Sequence, residues 1–151
     1  MNGALFVPAA IALLAAACAP AADNRSEADG PPRRTETRLL ELDLQRRALA
    51  VPVDTLPRSG EARFVVVEVA RIENEANIGL TFAVAFRPAG GTAVPLGTFS
   101  LYPADNPGRF IVATQGRVRP GGAIVVTMQP TDPIGRAMVR VGIRQVALAD
   151  R

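Results

Sequence analysis

The chain has 151 residues, 48% of them apolar, 21% charged and 5% aromatic, with a formal net charge of +3, one Cys and no His, and all 17 basic residues are Arg. Without His there is no side chain whose ordinary pKa suits acid–base work near neutrality, no Ser-His or Cys-His pair and no imidazole metal ligand; without Lys there is no Schiff base and no P-loop. The length predicts a single folded domain with room for a core.

Residues 4–17 form an uncharged run rich in Ala and Leu that ends in Ala15-Ala16-Ala17-Cys18. The run is shorter than the roughly 20 residues a membrane span needs, but it has the length of a signal-peptide apolar region. Small residues leading straight into a Cys resemble the lipobox of bacterial lipoproteins. That resemblance implies that Cys18 is acylated, becomes the mature N-terminus and anchors the protein by its lipid. Ala19, in place of Asp, then implies the outer membrane, with the protein facing the periplasm. The alternative is an ordinary secretory signal cleaved between Ala17 and Ala21, the protein then being periplasmic or secreted. A single Cys makes no internal disulfide under either reading. The expected organisation is a signal peptide over 1–17, a disordered tether over 18–37 with the lipidation site at its head, and one domain over 38–151. The tether, with Asp23, Arg25, Glu27, Asp29, Pro31 and Pro32, has too little apolar area to offset the entropy of ordering it.

Residues 38–53 are ambiguous: Leu40, Leu44 and Ala48 fit a helical spacing, whereas Leu42, Leu44, Leu49, Val51 and Val53 fit strands. Pro52 tips the balance to one or two edge strands. Residues 63–72 (Phe64, Val65, Val66, Val67, Val69) are almost continuously apolar, as in a central strand buried on two sides. Leu80, Phe82, Val84 and Phe86 alternate with smaller or polar residues, and Phe99 and Leu101 alternate with Thr98, Ser100 and Tyr102. Ile124, Val126 and Met128 make another apolar face, and Val139, Val141 and Ile143 one more. Between Ile143 and Val146 the apolar frame moves from odd to even positions, which predicts a β-bulge near Arg144 and Gln145. Turn signals separate these runs: Asn77-Ile78-Gly79, Pro88 to Gly91, Asp105 to Gly108, Arg119 to Gly122 and Pro130 to Gly135. The predicted fold is all-β, a single antiparallel β-sandwich or barrel of about seven strands.

The runs from Leu42 to Val53, Arg63 to Ile72, Thr81 to Phe86, Leu96 to Leu101, Ala123 to Met128 and Met138 to Ile143 resemble, in order, the C-terminal β-domain of polyphenol oxidases and bacterial tyrosinases. The plant enzymes carry a Lys-Phe-Asp-Val signature there; the strand Thr81-Phe82-Ala83-Val84 keeps its two apolar positions and replaces both charged ones. The resemblance implies a sandwich that acts as a shield over a type 3 copper site. The copper-binding helical domain and its His ligands have no counterpart in this chain, so oxidase activity does not carry over.

Few side chains stand out as a site. Tyr102, the only Tyr, is expected on an outer face; within the resemblance it or a nearby Phe would be the bulky residue over a copper entrance, and otherwise it is an amphipathic residue at a strand end. Arg117, Arg119, Arg140 and Arg144 form one basic stripe toward an anionic surface if their strands are neighbours, and otherwise the polar face of a sheet. Glu73 to Asn77 is rich in oxygen ligands but lacks the Asp and Gly spacing of a calcium loop. Glu41 and Asp43 have no pocket or partner pointing to glycosidase chemistry. The function expected is therefore a non-catalytic cell-envelope lipoprotein, a binding or interaction module that needs no cofactor. Its partners would be the membrane, through the lipid, and a copper oxidase or another envelope protein, with no role for nucleic acid. The alternatives are a small periplasmic hydrolase or oxidase accessory working through carboxylates, and a purely structural outer-membrane lipoprotein.

Overall fold

The computed structural model describes residues 39–133 and 137–151, which belong to one unit, Glu36–Arg151. The signal run, the tether and Cys18 lie outside the described residues. Eight strands follow one another: β1 (Leu40–Asp43), β2 (Ala48–Val53), β3 (Phe64–Glu73), β4 (Leu80–Arg87), β5 (Val94–Ser100), β6 (Gly108–Ala113), β7 (Gly122–Pro130) and β8 (Arg140–Ala149). They form two four-stranded sheets, ordered β1-β8-β3-β6 and β2-β7-β4-β5, with every pairing antiparallel. The all-β sandwich is thus as expected, and the ambiguous stretch after residue 38 supplies two edge strands, one to each sheet. Of the three strand prolines, Pro52 in β2 and Pro95 in β5 sit on edge strands, where a missing N–H breaks no central ladder, and Pro130 is the last residue of central β7.

The alternation read along β4 produces the core directly. Leu80, Phe82, Val84 and Phe86 are buried and meet Ile124, Val126 and Met128 of β7, while Val65, Val67 and Val69 of β3 meet Val141 and Ile143 of β8 from the other sheet. β3 is central in its sheet, and its apolar run is explained by Val66, which is buried on the outward side while Val65 and Val67 point in.

The phase jump in β8 is a bulge as predicted. Glu68 opposes Gln145 and Val69 opposes Ile143, which leaves Arg144 as the extra residue. A second bulge, which the sequence did not announce, makes Ala70 the extra residue on β3 between Val69 and Arg71. The two offset each other, so both strands keep apolar side chains inward above and below the kink. A third leaves Leu96 unpaired on β5 between Pro95 and Gly97.

The strand absent from the expectation is β6. Its inward residues, Phe110 and Val112, alternate with Arg109 and Ala113, but Ile111 faces outward and blurs the period. Phe110 matters for closure: Phe82 stacks on Phe99 at 4.9 Å between centroids, and Phe99 stacks on Phe110 at 4.3 Å. This column runs from β4 across edge strand β5 to edge strand β6 and seals that side of the sandwich. Such pairs contribute about 0.5–1.5 kcal/mol each beyond the area they bury.

Candidate functional site

Strand directions sort the connections into two ends. The links after β1, β3, β5 and β7 lie at one end, called the upper end; those after β2, β4 and β6 lie at the lower end.

Tyr102 belongs to the upper end. β5 stops at Ser100, Leu101 turns inward and is buried, and Tyr102 stands in the following loop with 95% of its surface exposed. It is therefore not on a sheet face but at the tip of a connection. The loop is well tied. Leu101 N–H donates to Leu80 O, and Asn106 N–H donates to Pro103 O.

A third tie comes from Asn74, which is only 7% exposed. Its Nδ2 donates to Ile78 O at 2.8 Å and to Ala104 O at 3.3 Å, and its Oδ1 accepts from Ile78 N–H at 3.0 Å. One amide thus closes the β3–β4 turn, in which Asn77 has φ of +51°, and fastens it to the Tyr102 loop. The oxygen-rich stretch from Glu73 to Asn77 is accordingly built around a structural Asn. Among the described residues, no group of three or more His, Cys, Asp or Glu is placed to hold a metal ion.

The four arginines do not make one stripe. Arg117 and Arg119 are in the β6–β7 connection at the lower end, where Arg117 donates to Pro95 O and Arg119 to Gly116 O and Val118 O. Arg140 begins β8 at the upper end, with Glu73 at 3.9 Å, and Arg144 is at the bulge halfway along, paired with Glu68 at 2.5 Å. The latter two lie on the outer face of the β1-β8-β3-β6 sheet, whose upper half alternates in charge: Asp43 opposes Arg140, which opposes Glu73, beside the Arg71–Glu73 pair. Such exposed, matched pairs are worth little individually and leave no net basic patch. The lower half of that face is apolar, with Phe64, Val66, Ile111, Ala113, Ala147 and Ala149 as cross-strand neighbours and Ile111 62% exposed.

Asp43 ends β1 and shapes the turn into β2. Its Oδ1 accepts from the N–H groups of Arg46 and Gln45, and these bonds, that of Arg46 foremost, hold its carboxyl below the usual Asp range. Sequence reading passed over both Asn74 and Asp43 as structural groups. The signal was present for Asp43, an Asx residue two and three positions before the N–H groups it meets, and in part for Asn74, which meets Ile78 four residues on; its tie to Ala104, thirty residues away, has no local signal.

No family model matches the chain, and no curated protein or solved structure is significantly similar to it.

Proposed function

We propose that this chain is a non-catalytic interaction module of the cell envelope, held at a membrane through Cys18 and contacting a protein partner through the loop that carries Tyr102. The observation that supports a contact role is the tyrosine itself. A ring almost wholly in water gains nothing for the fold, yet the loop beneath it is fastened by the Asn74 amide and by the backbone of Leu80. An aromatic side chain of few rotamers on a fixed loop is what an interface anchor requires, since little entropy remains to be lost on binding. The membrane half of the reading rests on residues 4–18, where a short apolar run meets Cys18. A type 3 copper oxidase is the partner that the family resemblance implies, with Tyr102 then lying toward the oxidase.

The test places a photo-crosslinking amino acid at position 102 and, as a control, at Ala89 in the lower-end β4–β5 turn, in cells of the source organism. A discrete adduct from position 102 and none from position 89 is the expected result, and mass spectrometry of the adduct reads whether it contains an oxidase chain. Equal labelling at both positions, or none at 102, overturns the contact role. Separately, a palmitate analogue labels the wild-type chain and not Cys18→Ala; a wild-type chain that takes up no label ends the anchor.

A further inference from the structure

The two sides of the sandwich are closed unequally. Where β5 meets β6 the phenylalanine column fills the seam. On the other side β2 runs its full length in one sheet, but β1 is only four residues long and pairs with Arg140–Ile143 alone. Below it, residues 144–149 of β8 pair with β3 on one edge and, among the described residues, with no strand on the other. In an antiparallel strand every second residue turns both its N–H and its C=O to the same side, so along this edge a row of donors and acceptors has no strand partner among the described residues. Behind it is a cleft of about 370 Å³ lined by Val51, Val53, Leu56, Ile124, Val146 and Leu148. Asp54 lines its lower end, and Asp150 follows the last residue of β8; neither carboxylate is in an ion pair among the described residues.

We infer that this edge is a docking site for one extended segment of another protein, at least six residues long, apolar at alternate positions and basic at the end lying beside Asp54 and Asp150. Six residues at about 3.3 Å each span the open part of β8. The segment continues the line of β1, completes the sheet by backbone hydrogen bonds, and turns every second side chain into the cleft, the mode in which main-chain pairing gives affinity and alternate pockets give specificity. Its direction follows β1, antiparallel to β8, which sets its first residue against the two carboxylates.

Two other occupants fit less well. A second copy is a two-layer body: with its β8 against this edge, its other sheet would have to enter the space already taken by β2, whose Val51 to Val53 line the cleft behind the gap. A lone strand has no second layer. The chain's own residues before β1 carry the wrong pattern. Leu42 is the buried residue of β1 and Leu40, two positions before it and 42% exposed, shares its side, so the same alternation continued backward would turn Arg38 and Glu36 toward Val51 and Val53. Setting charges against those valines costs desolvation energy that no partner in the cleft returns.

The experiment uses the full chain carrying Cys18→Ser and three fluorescein-labelled synthetic peptides: Arg-Val-Thr-Val-Thr-Val-Thr, the permuted Arg-Val-Val-Val-Thr-Thr-Thr, and the alternating peptide with Glu first. Anisotropy at low salt is expected to show the first binding at least tenfold more tightly than the permuted one, and hydrogen exchange to show amides within 144–149 gaining protection only with the alternating peptides. Asp54→Arg, an exposed change that leaves the core alone, is expected to weaken the Arg peptide about threefold and to favour the Glu peptide instead, the size of effect an exposed ion pair produces. Equal binding of the first two peptides overturns the proposal. So does protection of 144–149 in the free chain that disappears when 33–38 are replaced by Gly and Ser, which gives the edge to the chain's own residues, or protection that grows with protein concentration, which gives it to a second copy.

Discussion

Asn74→Ala removes three hydrogen bonds at once and leaves the N–H and C=O of buried Ile78 without partners, along with one acceptor bond at Ala104. A buried group left unsatisfied costs about 1–3 kcal/mol, so two such groups at Ile78 set a loss of about 3 kcal/mol, with the half-buried Ala104 carbonyl regaining water. For a domain of this size that corresponds to a fall in Tm of about 12 °C. Urea and thermal unfolding followed by circular dichroism measure it. Asn74→Asp keeps the acceptor for Ile78 N–H but sets a carboxylate oxygen against the carbonyls of Ile78 and Ala104, and is expected to cost at least as much as Ala. Because Asn74 also fastens the Tyr102 loop, amide exchange over residues 101–106 should quicken more than exchange in the β4–β5 turn at the opposite end. A loss below about 0.5 kcal/mol, or unchanged exchange around Tyr102, would refute the claim that this one amide holds the two upper loops together.

Two further outcomes follow from local geometry. A Cβ on Gly122 would run into the Phe86 ring and come within 2.7 Å of Arg87 O, so Gly122→Ala is expected to cost about 2–3 kcal/mol in urea unfolding, whereas Gly90→Ala, where nothing is near but φ is +68°, should cost about 1 kcal/mol. The Asp43 carboxyl titrates below its unfolded value, so its contribution is whole above the ordinary Asp pKa of about 3.9 and is lost as the pH falls through the lower folded value. Asp43→Asn is therefore expected to narrow the difference in Tm between neutral and strongly acid solution, and an unchanged difference would show that the turn bonds to Gln45 and Arg46 do not favour the ionised form.

What could be read before folding depended on whether a residue's role is local. The period of two along Leu80–Phe86 places those side chains inside whatever sheet they join, and a frame change such as that between Ile143 and Val146 has one cheap solution, a bulge. Pro52 restricts its strand to an edge by chemistry alone. Conversely, β6 was missed because outward Ile111 imitates an inward residue, and nothing local distinguishes an apolar side chain on an open face from one in a core. The four arginines illustrate the same limit. Their number and sign are in the sequence, but Arg117 and Arg119 fall at the end opposite Arg140 because the length of β7 runs between them, and Arg144 joins Arg140 on one face only through the pairing of β8 with β3.

By itself the sequence determined the fold class, the inward set of most strands, the bulge at Arg144 and the lack of imidazole and ammonium chemistry, since each follows from side-chain type and spacing along a few residues. Only tertiary structure decided which edges meet. The Phe82–Phe99–Phe110 column, the reach of Asn74 to Ala104, the exposure of Tyr102 and the gap below β1 all join residues far apart in the chain, and such encounters depend on strand order, which short-range periodicity does not encode.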